Sequence, residues 1–414
     1  MARQKAESEA VGERLARLRR ERGLTQVELA KKLGTAQPVV SDYERGLLRL
    51  NGDVIVQLAK ILGVSADELL GLDQSKKTRS VKNRRLLRRL QELEHLPRRD
   101  SRLLIGPQIG EDAAVIDAGD RYLVVSTDPI TFATDHVGQY VVHVNANDVA
   151  VLGARPLWFF VVLLLPERGT TPELVDTIMT DVQITCDEVG VTLGGGHTEI
   201  TQGLDRPILV GQMLGEVAPT RLVRKNRVAI GDHILLTRGV AIEGTAILAR
   251  EKSDRLRGRV EGDLLARAAR YLVNPGISVV RAALAAAEAG DVVHAMHDPT
   301  EGGLATGLFE LVAPSGLGLR VIREQISVFR ETDAICAALA LDPLKLISSG
   351  ALLITVAPDG TDAVLKAVRA TGVPVAAIGE VRASNDGLTI VTRGSAEPLI
   401  PPARDEIARA FEGG

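Results

Sequence analysis

Asn145-Ala146-Asn147-Asp148-Val149-Ala150-Val151-Leu152-Gly153-Ala154-Arg155-Pro156 is the stretch whose reading decides the fold. Before it, Val137, Tyr140, Val141 and Val144 recur at helical spacing; after it, residues 157–165 form an apolar run that reads as a buried strand. Asp148 falls in the last turns of the helix, ahead of Gly153. A carboxylate in such apolar surroundings is costly unless something positive meets it. A capping or surface aspartate is the plain alternative. Two other acidic stretches bear on the choice. Gly110-Glu111-Asp112-Ala113-Ala114 and Ser126-Thr127-Asp128-Pro129 each read as a turn at the edge of a short apolar strand. Carboxylates converging from strand ends and a helix suit Mg²⁺, a hard ion that takes oxygen ligands and shares them with substrate phosphates.

The chain around this stretch has 414 residues, enough for two to four domains. Hydrophobic residues make up 45% and aromatic ones only 3%, so aliphatic side chains must build the core. The only cysteines, Cys186 and Cys336, have no partner at metal-ligand spacing and read as small buried apolar residues, which suits a reducing cytoplasm. No signal peptide and no apolar run of membrane-spanning length is visible, so a soluble, cytoplasmic protein with no membrane partner is expected. The net charge of −3 conceals a division: residues 1–102 carry 23 Lys/Arg against 14 Asp/Glu, a balance of +9, which leaves −12 on the remainder. A basic front joined to an acidic body predicts two different kinds of partner.

In the front, Leu15 and Leu18 lie on a helix that stops at Gly23. Thr25 followed by Glu28 has the capping-box spacing, and it opens a second helix that ends at Gly34. A third runs from Thr35 to Gly46, with Leu29, Leu33, Val40 and Tyr43 as the shared core and small Ala30 at the crossing. Val54, Leu58, Leu62, Val64, Leu69 and Leu70 predict two supporting helices. Two helices joined by such a turn make the arrangement in which the second lies in the major groove of duplex DNA.

Residues 11–72 thus resemble the Cro/repressor-type (XRE) helix-turn-helix family, most specifically from Thr25 to Gly46. The resemblance implies that Gln26 holds a phosphate at the helix start and Gln37 reads a base edge. Val39, Ser41 and Asp42 would lie along the groove-facing side, with Arg45 near the backbone. Pro38 stands where many relatives carry a polar reader. The family binds two half-sites as a dimer. Residues 73–105 form a basic linker in which Leu86, Leu87, Leu90 and Leu93 predict an amphipathic helix. Its charges read either as a solvated face or as auxiliary phosphate contacts.

Beyond Gly106 the chain mixes strands and helices. Strands are expected at 113–116, 122–126, 157–165, 191–193 and 208–217, then at 233–237, 292–296, 351–356, 375–381 and 388–391; helices are expected at 137–152 and 171–189 and at six places in the second half. The mixed order predicts two α+β halves rather than a doubly wound sheet. Three further clusters are chemically suggestive. Gly194-Gly195-Gly196-His197-Thr198-Glu199 reads as a turn whose backbone N–H groups could cradle an anion, or simply as a tight turn. Met296-His297-Asp298-Pro299-Thr300-Glu301-Gly302-Gly303 joins a strand to a helix, a natural anion site with a metal-competent aspartate. Leu346-Ile347-Ser348-Ser349-Gly350-Ala351 is a polar turn leading into a buried strand. His143 reads as a core histidine, whereas His197 and His297 stand beside glycines in expected loops.

As a set, these motifs make residues 106–402 resemble the aminoimidazole-ribotide (AIR) synthase superfamily, especially its hydrogenase-maturation carbamoyl dehydratase branch. The resemblance implies an N-terminal half, 106–218, that pairs with its twin in a homodimer, and a C-terminal α/β half, 219–402. It implies ATP and Mg²⁺ between the halves and ATP-driven activation of an amide, carboxamide or phosphate oxygen. Carried over by motif, Asp112, Asp128 and Asp148 would be metal ligands. Gly195, Gly196, Thr198 and Asn145 would border the nucleotide, and Asp298 and His197 would stand near the transferred group. Members of that branch carry their substrate on a C-terminal cysteine, where this sequence reads Ala410-Phe411-Glu412-Gly413-Gly414, so reaction on its own tail is not expected. A helix-turn-helix also stands where that branch has a nucleotide-covering segment. The main expectation is a DNA-binding regulator whose body binds Mg-ATP or a phosphorylated metabolite. The alternative is an ATP-dependent enzyme with a tethering or autoregulatory DNA-binding front.

Overall fold

The computed structural model describes residues 11–48, 52–62, 100–107, 110–131, 133 and 135–412. Its contacts divide it into a front unit, Met1–Glu92, and a body, Leu93–Gly414. Among the described residues no helix is long and apolar enough to cross a membrane.

The front contains α1 (Val11–Glu21), α2 (Gln26–Leu33), α3 (Gln37–Glu44) and α4 (Gly52–Leu62). The expected capping box opens α2: Glu28 N donates to Thr25 Oγ1 at 3.2 Å, and Thr25 N donates to Glu28 Oε2 at 2.7 Å. Leu15, Leu18, Leu29, Val40, Leu58 and Leu62 close one small core from all four helices. Arg19 clasps Glu44 at 2.6 Å and so ties α1 to the end of α3. The second supporting helix and the linker helix fall outside the described residues.

The first half of the body is a six-stranded sheet in the order β1-β2-β3-β6-β4-β5. Its strands are β1 (Leu103–Ile105), β2 (Ala114–Asp117), β3 (Tyr122–Ile130), β4 (Arg155–Pro166), β5 (Thr192–Thr201) and β6 (Ile208–Val217). All neighbours are antiparallel except β4 and β5. Two helices, α5 (Val137–Ala150) and α6 (Pro172–Val189), pack together, and α5 lies on the sheet. Thr171 caps α6 through Leu174 N at 3.3 Å, as its sequence foretells. All but one residue of α5 is buried, which is the pattern of a helix enclosed on every side rather than amphipathic. Gly211 on β6 makes this approach possible, because a Cβ there would strike the Asn145 side chain and the Phe159 ring.

The second half is a seven-stranded sheet in the order β13-β12-β9-β11-β7-β10-β8. It contains β7 (His233–Thr237), β8 (Val293–His297), β9 (Gly318–Ile322), β10 (Leu353–Val356), β11 (Val375–Arg382), β12 (Leu388–Thr392) and β13 (Ser395–Pro398). The helices are α7 (Ile242–Glu251), α8 (Ser253–Leu256), α9 (Gly262–Ala268), α10 (Val280–Ala287), α11 (Gly303–Val312), α12 (Arg330–Leu339), α13 (Thr361–Ala370) and α14 (Glu406–Phe411). Two mixed sheets with segregated helices make the expected α+β body. Asn147 joins the halves: its Nδ2 donates to Ile277 O at 3.0 Å, and its Oδ1 accepts from Val279 N at 2.8 Å.

Two expected turns are strands instead. Thr127-Asp128-Pro129 lies inside β3, paired with β6 as far as Ile130. Its other edge is free of a strand because β2 pairs only with residues 122–125. Residues 194–199 belong to β5, the outer strand of the sheet. There the glycines answer a backbone demand. Gly195 and Gly196 have φ of 140° and 156°, and a Cβ on Gly196 would strike the Val161 carbonyl at the point where the register between β4 and β5 shifts.

Candidate active site

Four carboxylates from distant parts of the sequence converge in the body. Asp112 comes from the irregular stretch before β2, Asp128 from β3, Asp148 from the last turn of α5 and Asp298 from the end of β8. Oxygens of Asp112 and Asp298 and a nitrogen of His297 lie within 4.8 Å of one another. Ser126 Oγ donates to Asp148 Oδ2 at 2.5 Å, and Asp148 shares a hydrogen bond with Asp128. Both oxygens of Asp298 are buried without a hydrogen-bond partner among the described residues.

Burial of like charges governs the ionisation of this group. Burial, then the charges of Asp298, Asp128 and Asp112, hold the Asp148 carboxyl well above the usual carboxylate range. Burial and Asp112 do the same to Asp298. Asp128, less enclosed, is pushed up to about 6 by burial and then by Asp112 and Glu301. Asp112 goes the other way. Burial opposes its charge, but His297 and Lys225 outweigh that and hold it well below the ordinary value. Lys225 Nζ donates to Asp112 Oδ2 at 2.6 Å and to the Gly110 carbonyl, and lies 3.0 Å from His297 Nδ1. His297 faces Asp112 through Nδ1 and Glu310 through Nε2, each at 3.0 Å. Burial disfavours its charged form, yet Asp112 prevails and raises it to about 9. The imidazolium therefore donates from both nitrogens.

Asn145 is wholly buried, and its amide is spent on backbone. Oδ1 accepts from Asp128 N at 2.9 Å, while Nδ2 donates to Asp128 O at 3.2 Å and Val141 O at 2.8 Å. In this geometry it positions Asp128 by completing the free edge of β3. Beside Asp128 opens a cleft of about 280 Å³ lined by Glu243, Thr300, Glu301 and Ser349. Glu243 stands beside Ser349 there, and burial pushes its carboxyl up to about 7 against the hydrogen bonds that Ser349 offers.

Gly195, Gly196, His197 and Thr198 are not brought to these acids within one chain. β6 and β4 stand between β3 and β5, so three strand spacings, about 14 Å, separate them. In the front, Gln37 Nε2 donates to Gln26 Oε1 at 2.7 Å, and Gln26 Nε2 donates to Glu44 Oε2 at 2.8 Å. Val39, Ser41 and Asp42 are partly exposed on α3, and Arg45, just beyond it, pairs with Asp42 at 2.6 Å.

Comparison with known proteins agrees with this architecture. Residues 110–217 match the family model "AIR synthase related protein, N-terminal domain", residues 229–391 match its C-terminal counterpart, and residues 15–69 match a helix-turn-helix model. The carbamoyl dehydratase HypE of Cupriavidus necator is 32% identical over 273 residues, 63% of this chain and 73% of that one. The chain belongs to the AIR synthase-related family. A putative hydrogenase expression/formation protein of Methanocaldococcus jannaschii is 28% identical across 74% of this chain and 89% of its own length. Among solved structures, the hydrogenase maturation protein HypE in complex with ATP superposes with a TM-score of 0.60 at 25% identity, covering 73% of this chain and 92% of that one. This AIR synthase-related chain carries a helix-turn-helix in addition.

Sequence reasoning missed Lys225, Ser126, Glu243 and Glu310. Lys225 lies in Arg224-Lys225-Asn226-Arg227, which reads as a solvated basic patch; the Lys225 side chain is nevertheless buried. No local signal announces it, because its partners are 72 and 113 residues away.

Proposed function

We propose that the body is an ATP-dependent enzyme that activates the oxygen of a carboxamide, amide or phosphate substrate, with Mg²⁺ and nucleotide at the acid cluster. The observation that carries this reading is Asp298, whose two buried oxygens have no hydrogen-bond partner among the described residues while three further aspartates crowd the same space. Buried acids of one sign demand a cation, and an all-oxygen donor set suits a hard one. Asp128, Asp148 and Asp298, with the outer oxygen of Asp112, would hold the ion. When bound, Mg²⁺ neutralises phosphate charge and orients the transferred group. The protein's own residues do the rest. Lys225 and His297 keep Asp112 ionised, Ser126 orients Asp148, Asn145 fixes the backbone of Asp128, and the cleft beside Asp128 receives the substrate. The kinship to carbamoyl dehydratases and the ATP complex of a structural relative support the nucleotide and favour a carboxamide.

In a carboxamide dehydration, the carbonyl oxygen leaves on phosphate, the amide nitrogen loses both protons and ATP becomes ADP. Neither Cys186 nor Cys336 suits the part of carrier, because burial pushes each thiol up to about 12. The substrate would therefore arrive on another molecule. The test is steady, Mg²⁺-dependent ADP release with an S-carbamoylated cysteine peptide. No release above the peptide-free rate, with ATP binding intact, would leave the body a nucleotide-binding module.

That module is the second reading, a DNA-binding regulator, and the ordered α2–α3 pair favours it. Under either reading the front binds duplex DNA, and a homodimer joined through the first-half sheet would bring β5, with His197 and Thr198, to a twin's site and present two recognition helices. Gel shifts across genomic fragments should show a fragment bound specifically. Light scattering should give twice the chain mass. Uniform, salt-erased DNA binding would remove the regulator reading.

A further inference from the structure

A second cleft, of about 550 Å³, opens on the face of α5 turned away from the acids. His143 lines it and is five residues from Asp148, about 140° around the helix at 3.6 residues per turn. The other walls come from α6, from the loop after β7 that carries Arg238, from residues 272–278, and from Arg281 on α10. Three observations there point to a ligand. His143 is 9% exposed, and its Nδ1 has no hydrogen-bond partner among the described residues. An unmet polar atom so deeply placed is costly. Arg238 is half-buried and held in the left-handed backbone region at φ 54°, which is strained for a residue with a Cβ. Its Nη1 donates to the carbonyls of Gly276 at 2.8 Å and Ser278 at 3.0 Å, which aims the guanidinium. Neither Arg238 nor Arg281 has a carboxylate partner among the described residues, and each adds to the other's positive field. The acid on the lining is the exposed Glu188 of α6.

We propose that this cleft is a ligand site separate from the acid cluster, which takes a small anion carrying a carboxylate or a phosphate monoester. The anion lies against Arg238 and Arg281, in the fork geometry that guanidinium groups offer to planar or tetrahedral oxyanions. His143 supplies a neutral ring nitrogen to the body of the ligand, since burial and then Arg238 push its imidazole down to about 4. Leu272 and Phe329 provide apolar wall for the uncharged part. The site does not depend on the enzymatic reading of the acid cluster.

The test uses the full chain, with inorganic phosphate and malonate as probes in separate titrations followed by calorimetry and by the ¹⁵N signals of labelled histidine rings. One probe or the other should bind saturably and move the His143 ring signal, and the responding probe distinguishes a phosphate site from a carboxylate site. Arg281→Gln, at an exposed position, should weaken that probe about tenfold, corresponding to about 1.4 kcal/mol. His143→Gln should abolish the ring signal and weaken binding. Asp148→Asn should leave the probe's affinity unchanged while removing Mg-ATP binding. Saturable binding that is lost in Asp148→Asn but kept in Arg281→Gln places the anion at the acid cluster and overturns the proposal. So does the absence of saturable binding by both probes.

Discussion

The front unit and the acid-bearing part of the body treat charge in opposite ways. In the front, Arg19 meets Glu44 at 2.6 Å, Gln26 adds a second donor to the same carboxylate, and Arg45 meets Asp42. Opposite charges are satisfied within a short stretch of chain. In the body, the buried Asp148 and Asp298 crowd against the half-buried Asp128, and the cations beside them, Lys225 and His297, are spent on Asp112, the Gly110 carbonyl and Glu310. The front is arranged to stand by itself. The body holds repulsion that an added cation relieves. Neutralising one charge should therefore have opposite effects on stability: it weakens the front and strengthens the metal-free body.

The sharpest break of this contrast is Asp148→Asn. Mg-ATP affinity should fall by at least about a hundredfold, beyond the effect of losing an outer-shell partner. The melting temperature in EDTA at neutral pH should rise, because the folded variant no longer has to take up the proton that burial and the neighbouring aspartates force on the Asp148 carboxyl. Calorimetry and thermal melts read the two effects, and equal affinity in the variant would separate the cluster from nucleotide binding.

Next is Glu243→Gln, which sharpens the contrast through pH. The folded carboxyl titrates near 7, and an unfolded one titrates near 4.5. Between these values the folded state holds the extra proton, so the parent protein loses stability as pH rises through the window. In EDTA the variant should match the parent at pH 4.5 and exceed it at pH 8 by about 2 kcal/mol, allowing for relaxation around the charge. Parallel stability–pH curves would show that Glu243 is solvated.

Arg19→Ala should lower the stability of the front by between about 1 and 2 kcal/mol, because it leaves the Glu44 carboxylate enclosed with only a neutral donor. Adding Glu44→Gln should restore part of the loss. Hydrogen exchange of α1 and α3 measures both, and a more stable single variant would invalidate the comparison. The smallest effect is Thr25→Ala, worth about 1 kcal/mol through loss of the cap, read as faster exchange at the first turn of α2.

How legible each region was follows from the range of its interactions. The capping box of α2 and the Thr171 cap of α6 involve residues three apart, and both are visible in the sequence. The glycine run was misread as a turn because the reason for Gly196 is the Val161 carbonyl on a neighbouring strand. Thr127-Asp128-Pro129 was misread likewise, since the strand is prolonged there by pairing with β6, more than eighty residues along the chain, beyond the point where β2 stops. The acidic residues could be singled out by type and neighbourhood. The counter-cation at Asp112 could not, because Lys225 looks solvated in its own segment.

By itself, the amino-acid order determined the division into a basic helical front and an acidic mixed body, the helix ends, and the four aspartates worth watching. Those properties reside in residue type and spacing over a few turns. Tertiary structure alone decided which acids share a space, that Lys225 and His297 hold one of them charged, that Asn145 serves a strand, and that α5 carries a carboxylate on one side and a buried imidazole on the other. The reason is that ionisation and hydrogen bonding in an interior depend on distance through space, and residues a hundred positions apart become neighbours only after the two sheets and α5 have packed.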